Sequence, residues 1–192
     1  MHGFYGFVTL SLAAIFTENT LLSGAADTDL ALDSLRRLPR LAAVSLTVAI
    51  FSLLDSLTVL PLDRFIHAEW LTYMPVRGFL LTLIALLWYF IAGGLLRRSA
   101  WINKNAGQLI PVAALNGAVL AAPGLLGGGA ESIGAVFGSS LGAGLGFALA
   151  AWLIGTGMRR FDNPDISSGM RGAPAMLIYI GLLALAFSAF GA

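Results

Sequence analysis

Long apolar stretches separated by short polar segments run along the whole chain. A helix needs about 20 apolar residues to cross a bilayer. Six stretches reach this length, at approximately residues 3–24, 40–60, 76–96, 107–126, 133–158 and 172–190. Pro39 and Pro61 are the expected limits of the second stretch, and the longest loops are 25–39, 61–75 and 159–171. The pattern predicts an all-α integral membrane protein with six transmembrane helices in one domain of residues 1–192.

The composition places most of the surface against lipid. Hydrophobic residues make up 58% of the sequence and charged residues 11%, with a mean hydropathy of +0.86, whereas soluble domains are about 25% charged. The sequence has no cysteine, and His2 and His67 lie outside the apolar stretches. Disulfides, thiolate ligands and a histidine metal site are therefore excluded. The net charge of +1 gives no reason to expect nucleic-acid binding.

The basic residues predict how the chain is oriented. In a six-helix arrangement, nine of the eleven lysines and arginines fall beside the first, third and fifth loops. Positive charge marks the cytoplasmic side of a membrane. We therefore expect a multi-pass protein of a bacterial-type inner membrane, with these three loops in the cytoplasm and both termini outside. The nine residues are Arg36, Arg37, Arg40, Arg97, Arg98, Lys104, Arg159, Arg160 and Arg171, and the other two are Arg64 and Arg77.

Polar residues interrupt the first and the fourth apolar stretch. Glu18 and Asn19 lie in the later part of the first, and Asn116 lies in the middle of the fourth. Three helices separate equivalent positions, so two halves of about residues 1–98 and 99–192 would have opposite orientations in the membrane. Interrupted helices at matching positions of two inverted halves are typical of midplane sites in transporters. The pattern predicts two inverted three-helix repeats with interrupted first and fourth helices.

Glu18, Asn19 and Asn116 are candidates for an ion or proton pathway or for helix breaks. An acid inside an apolar span costs at least ~2–3 kcal/mol unless it is paired or hydrated. Glu18 is therefore either an ion contact or a cap, or a hydrated residue beyond the end of a shorter first helix. Asn19 and Asn116 either hydrogen-bond the backbone where the helices break or link neighbouring helices.

Asp55 is a further candidate for the pathway. It lies about two-thirds along the second stretch, close in sequence to Ser52, Ser56 and Thr58. Either the four side chains line a polar path, or Asp55 is a snorkelling acid at the membrane surface.

Four glycines form a ladder in the fifth stretch. Gly134, Gly138, Gly142 and Gly146 recur at every fourth position and so share one helix face. Small residues at this spacing allow the backbones of two helices to approach closely. The ladder predicts helix packing, within the protein or against a partner subunit, and no chemistry.

Sequence motifs in three stretches resemble one family. The last stretch carries Arg-Gly at 171–172, Leu-Ile at 177–178, Gly at 181 and Leu-Ala-Phe at 185–187. This order resembles the C-terminal helix of the Rnf/Nqr membrane subunits RnfA, RnfE, NqrD and NqrE. Ile110-Pro111 with the run from Asn116 to Leu120 resembles their fourth helix, and Glu18-Asn19 resembles a pair in their first. The resemblance extends over the chain in length, helix count and order.

The resemblance implies an architecture and a function. Family members have six helices in two inverted halves, and RnfA-like and RnfE-like members pair in opposite orientations. They lie at the centre of an ion-translocating oxidoreductase complex that couples electron transfer to sodium or proton movement. Outside termini match the RnfA-like orientation, so the expected partners are other membrane subunits of such a complex, an RnfE-like paralogue among them.

The sequence departs from the family at its cysteines. The family carries one cysteine after the first-helix break and one directly after the fourth-helix asparagine, and these hold a 2Fe–2S cluster shared with the paired subunit. Gly117 occupies the second position here, and the first falls around residues 25–29, which include Asp27 and Asp29 but no cysteine. Thiolates are the usual ligands of such clusters, so we expect no cofactor in this chain.

Three functions are compatible with these observations. The leading hypothesis is a divergent RnfA-like subunit that is structural or ion-conducting rather than cluster-binding. The alternatives are a stand-alone transporter or channel, and a scaffold paralogue, each of which keeps the fold without the redox function. In none of them does the chain itself carry catalytic residues.

Overall fold

The described part of the computed structural model consists of helices joined by short turns. It comprises residues 2–17, 19, 21, 27–65, 74–125, 133–161, 169–170 and 173–188, and no strand occurs among them. A π-helical turn at Ala13–Thr17 follows the first helix, and a 3₁₀ turn at Ala122–Leu125 follows the seventh. The helices are α1 (His2–Leu12), α2 (Thr28–Ser34), α3 (Leu38–Phe65), α4 (Met74–Arg98), α5 (Ala100–Ala106), α6 (Ile110–Ala114), α7 (Gly117–Ala121), α8 (Ile133–Phe161) and α9 (Ala173–Ser188).

Three of these helices are long and apolar enough to cross a membrane. These helices are α3, α4 and α8, and their membrane-capable parts are Leu38–Leu62, Val76–Arg98 and Ile133–Met158. Shorter apolar helices occupy the first, fourth and sixth predicted stretches, at Phe4–Phe16, Ile110–Ala121 and Pro174–Phe187. The all-α membrane fold is therefore confirmed. The count of six spans stays a prediction, because half of the segments are shorter than a full crossing.

The prolines do not bound the second span as the sequence analysis expected. Pro39 and Pro61 both lie inside α3. Pro39 is the second residue of the helix, where the backbone N–H has no intrahelical acceptor and its loss costs nothing. Pro61 lies near the C-terminal end, where it removes a single i→i−4 bond. The expected loops at 25–39 and after Arg98 are also partly helical, because they contain α2 and α5.

The helices α3 and α8 form the centre of the fold. They pack along each other, and the main core cluster draws on both, with Val44, Phe51, Phe147 and Ile154 fully buried. The close approach depends on Gly144, since a Cβ at this position would lie 2.7 Å from the carbonyl oxygen of Ser45. At least half of the most apolar part of α3 and of α8 is buried inside the protein, whereas only 22% of the corresponding part of α4 is buried.

Contacts between the elements follow a twofold pattern. The first segment, α1 with its π-helical turn, packs on α8, and the fourth segment, α6 with α7 and the 3₁₀ turn, packs on α3. On the outside, α4 packs on α3 and α6, while α9 packs on α8 and the π-helical turn. Each broken segment therefore lies against the long helix of the other half of the chain. The two inverted repeats of the sequence analysis stay a prediction.

Candidate functional site

The fourth segment is broken at Asn116. Helix α6 ends at Ala114, Asn116 has an extended backbone (φ −66°, ψ 144°), and α7 begins at the next residue. The Asn116 Oδ1 atom accepts a hydrogen bond from the N–H of Ala118 at 2.7 Å. This is the N-cap arrangement, in which a side-chain oxygen satisfies a backbone donor of the first turn. The asparagine is buried, so the cap replaces water that cannot reach the break.

The first segment changes conformation before Asn19. The α-helix gives way to a π-helical turn at Ala13–Thr17, and Asn19 itself is buried. Its Oδ1 atom accepts from the N–H of Leu21 at 3.2 Å, and its Nδ2 atom donates to the carbonyl of Ile15 at 3.0 Å. The amide thus bonds backbone groups on both sides of Asn19. Glu18, the neighbouring candidate, lies outside the described residues.

The glycine ladder of α8 faces the first segment. Gly138 lies against the backbone of Phe7, and the Ser11 hydroxyl donates to the Gly138 carbonyl at 3.1 Å. A Cβ on Gly142 would lie 2.7 Å from the Ser11 carbonyl oxygen, and one on Gly146 would lie 2.8 Å from Nδ2 of Asn19. Three ladder glycines therefore bring α8 close to the first segment.

Gly134 lies one turn before Gly138, at the start of α8. It is half-buried there, in contrast to the three buried glycines that follow it in the ladder.

Asp27 connects the two halves of the chain. Its Oδ2 atom accepts a hydrogen bond from the N–H of Gly117 at 2.7 Å, across 90 residues of sequence. Asp27 precedes α2 with a left-handed backbone (φ 59°), a conformation that aspartate tolerates better than most residues. Burial raises the pKa of the Asp27 carboxyl, the hydrogen bond from Gly117 lowers it, and the nearby Asp29 raises it.

Asp55 lies on the buried face of α3. Ser52, Asp55 and Ser56 are all fully buried, whereas Thr58 points toward α4, where its Oγ1 atom accepts from Trp88 Nε1 at 2.8 Å. Neither carboxylate oxygen of Asp55 has a hydrogen-bond partner in the described structure. The three candidates that the structure describes have different surroundings: Asn19 lies beside the ladder, Asn116 caps α7, and Asp55 has its own polar neighbours on α3.

The contact between Asp27 and Gly117 was not predicted from the sequence. A hydrogen bond between residues so distant in the chain leaves no periodic pattern. The signal that could have found it was the family resemblance, which assigns cysteines to both of these regions. Two positions that share ligands of one cluster must lie close together in the fold.

Comparison with known families gives a match over nearly the whole chain. A family described as "Rnf-Nqr subunit, membrane protein" matches residues 8–192. The chain belongs to the Rnf-Nqr family. It is therefore a multi-pass membrane subunit of an electron-transport, ion-translocating complex, and its partners are other membrane subunits of that complex. A search of curated proteins gave no match.

The 2Fe–2S cluster of the Rnf/Nqr subunits does not fit the residues at its expected position. Gly117 has no side chain that could ligate iron, and its backbone N–H donates to Asp27. The chain has no cysteine, and the described residues contain no group of three or more histidines, aspartates or glutamates that could hold a metal ion. What the described residues form there is a hydrogen bond between Asp27, which precedes α2, and Gly117, the first residue of α7.

Proposed function

We propose that this chain is an RnfA-like subunit that supports ion translocation in an Rnf/Nqr-like complex without carrying an iron–sulfur cluster. The observation behind the proposal is the hydrogen bond between Asp27 and Gly117. It joins the two regions where the family resemblance places cysteines. A carboxylate bonded to a backbone N–H keeps two helix breaks together but cannot carry an electron.

Structural and ion-conducting roles draw on different residues. The structural role rests on the caps at Asn19 and Asn116 and on the Asp27–Gly117 bond, which hold the breaks together. The conducting role rests on polar side chains inside apolar segments. Such residues are costly in a membrane and usually line the pathway of an ion or a proton.

The proposed partner is an RnfE-like paralogue in the opposite orientation. In this arrangement both termini of the present chain lie outside the cytoplasm. Helix α4 supplies the largest exposed apolar surface for such a contact among the spanning helices, with Phe79, Leu87, Phe90 and Leu95 all exposed. A surface of this kind suits lipid or another membrane helix.

The proposal is tested by purifying the tagged chain from native membranes in mild detergent. We expect other membrane subunits to co-purify, and we expect the separated chain to show no iron–sulfur absorbance or paramagnetic signal after chemical reconstitution with iron and sulfide. Stoichiometric iron on the separated chain would contradict the cluster-free role. Purification as a lone protein that moves ions in liposomes would favour the stand-alone transporter, and a lone protein without ion movement would favour the scaffold.

A further inference from the structure

Three polar side chains lie together on the buried face of the central helix α3. Ser52, Asp55 and Ser56 are spaced at i, i+3 and i+4, so they point from adjacent turns to the same side. All three are fully inaccessible to solvent. The next residue on this face is Val59, which is also buried, so the polar group ends against an apolar turn.

The oxygen atoms of this group have no hydrogen-bond partners in the described part of the chain. Both carboxylate oxygens of Asp55 and the hydroxyls of Ser52 and Ser56 are buried and unpaired. The Ser45 hydroxyl of α3 is buried and unpaired as well. Thr47 and Thr58 of the same helix instead bond their own backbone: they donate to the carbonyls of Ala43 and Leu54 at 2.7 and 2.8 Å. The two serines beside Asp55 do not follow this habit, which leaves their oxygen atoms free for another ligand.

No basic side chain of the described residues is paired with Asp55. Arg40 of α3 pairs with Asp33, and Arg97 of α4 donates to the Tyr89 hydroxyl. The segments α6, α7 and the 3₁₀ turn carry no titratable residue. The titratable residues of α3 and of the other elements packed on it are Asp29, Asp33, Arg40, Asp63, Arg64, Arg77, Tyr89, Arg97, Arg98, Lys104, Arg159 and Arg160. Neither carboxylate oxygen of Asp55 has a hydrogen-bond partner among the described side chains.

A buried carboxylate without a partner needs a cation. Transfer of an isolated charge into an apolar interior is so costly that the group is neutralised instead. Removing the charge by a proton is one solution. The other is a small hard cation, for which carboxylate and hydroxyl oxygens are suitable ligands.

We propose that Asp55, together with the hydroxyls of Ser52 and Ser56, binds one monovalent cation, either a proton or a sodium ion, on the buried face of α3. One carboxylate balances one positive charge, so the site is selective for single charge. The inference rests on the proposed function and deepens it, because an ion-translocating subunit requires a reversible cation-binding site along its pathway. The binding itself does not depend on assembly into a complex.

Infrared spectroscopy of the purified full chain in detergent tests the site. A protonated carboxylic acid has a carbonyl stretching band well separated from the bands of a carboxylate. We expect this band in the wild type without sodium, and we expect its loss in Asp55→Asn. Asp33→Asn is the matched control, because Asp33 is ion-paired and should contribute nothing to the band.

Titration with sodium chloride then identifies the cation. Loss of the band on addition of sodium chloride at constant pH, but not of potassium chloride, assigns a sodium site, and Ser52→Ala and Ser56→Ala should then shift the titration to higher sodium concentration. Loss of the band only on raising the pH assigns a proton site, which the serine variants should leave in place. A wild-type spectrum that matches that of Asp55→Asn in this band at every accessible pH, with no response to sodium, would overturn the proposal. Because the measurement uses the chain alone, that result would leave the membership of a complex untouched.

Discussion

Asp27 and Gly117 are joined by a 2.7 Å hydrogen bond that links the residue before α2 to the first residue of α7. The bond occupies a position where the family resemblance implies redox ligands. The contact connects two residues that lie in different halves of the chain.

Replacement of Asp27 by glycine should weaken this connection. Glycine adopts the left-handed conformation without strain but lacks the acceptor, so the variant loses the hydrogen bond alone. We expect the free energy of unfolding to fall by about 1 kcal/mol, the net value of one hydrogen bond. Asp27→Asn keeps an acceptor oxygen and tolerates the same backbone, so it should lose less than half as much. Thermal unfolding in detergent measures both, and equal losses would show that the charge matters rather than the bond.

Adding a methyl group to Gly142 should disturb the contact between α8 and the first segment. Its Cβ would lie 2.7 Å from both the Cβ of Ala14 and the carbonyl oxygen of Ser11. We expect Gly142→Ala to destabilise the protein by roughly 1–3 kcal/mol, the usual cost of overpacking. Gly181→Ala is the matched control, since no atom lies within 4 Å of a Cβ at that position of α9. That control should be neutral or stabilising, because alanine is the better helix former.

The outcome depends on the difference between these two glycine variants, measured as melting temperatures under identical conditions. If Gly142→Ala were as stable as the wild type, α8 and the first segment would lie further apart than the close contacts of Gly138, Gly142 and Gly146 indicate. A loss of similar size in Gly181→Ala would mean that α9 contacts another helix there.

Asn116 can be tested as a cap by two substitutions. Its Oδ1 atom accepts from Ala118, while its Nδ2 atom is buried without a partner among the described residues. Asn116→Ala should therefore cost ~1 kcal/mol, the typical effect of losing an N-cap. Asn116→Ser retains a cap acceptor and should recover most of the loss in thermal unfolding. A serine variant as unstable as the alanine variant would indicate that the amide nitrogen has a role of its own.

The long helices were predictable from the sequence because apolar length alone specifies them. The fifth stretch was expected at 133–158, and α8 begins at Ile133 and continues to Phe161. The expectation that Pro39 and Pro61 bound the second span was wrong, for a physical reason. Pro39 lies in the first turn of α3, where a backbone N–H has no intrahelical acceptor. The N–H that proline lacks is therefore not missed, and Pro39 does not end the helix.

The candidate site was only partly predictable. Asn116 was recognisable, since a buried amide in an apolar stretch needs a partner, and a broken helix supplies one. The free carboxylate of Asp55 was not, because hydropathy records its presence in the second stretch but not the face on which it lies. The Asp27–Gly117 contact depends on how the two halves assemble, which the local pattern of either half does not contain.

Orientation in the membrane can be measured with single cysteines, because the wild-type chain has none. The distribution of basic residues predicts that Ser99 faces the cytoplasm and that Gly128 lies on the other side. In intact cells, an impermeant maleimide should label Gly128→Cys at once and Ser99→Cys only after permeabilisation. A reporter fused after Ala192 should agree with Gly128. The reverse labelling pattern would contradict outside termini and with them the RnfA-like orientation.

Glu18 is the candidate for which a transport measurement is decisive. It lies outside the described residues, but it directly precedes Asn19, whose amide bonds the backbone on both sides of the first break. A carboxylate in an apolar segment must be paired, hydrated or protonated, so it is suited to bind an ion transiently. Glu18→Gln keeps the shape and the hydrogen-bonding capacity but removes the charge. We expect this variant to reduce coupled ion movement in the assembled complex severalfold while expression stays normal.

The control for this measurement is Glu131→Gln, in a segment that the sequence predicts to be a loop. It removes the same charge outside the apolar stretches and should leave ion movement unchanged. A second experiment separates a pathway residue from a hydrated one. Glu18→Cys should react slowly with a water-soluble thiol reagent if the segment is shielded by the membrane. Fast labelling together with normal transport in Glu18→Gln would place Glu18 at the aqueous surface, and the ion pathway would then have to be sought at Asp55.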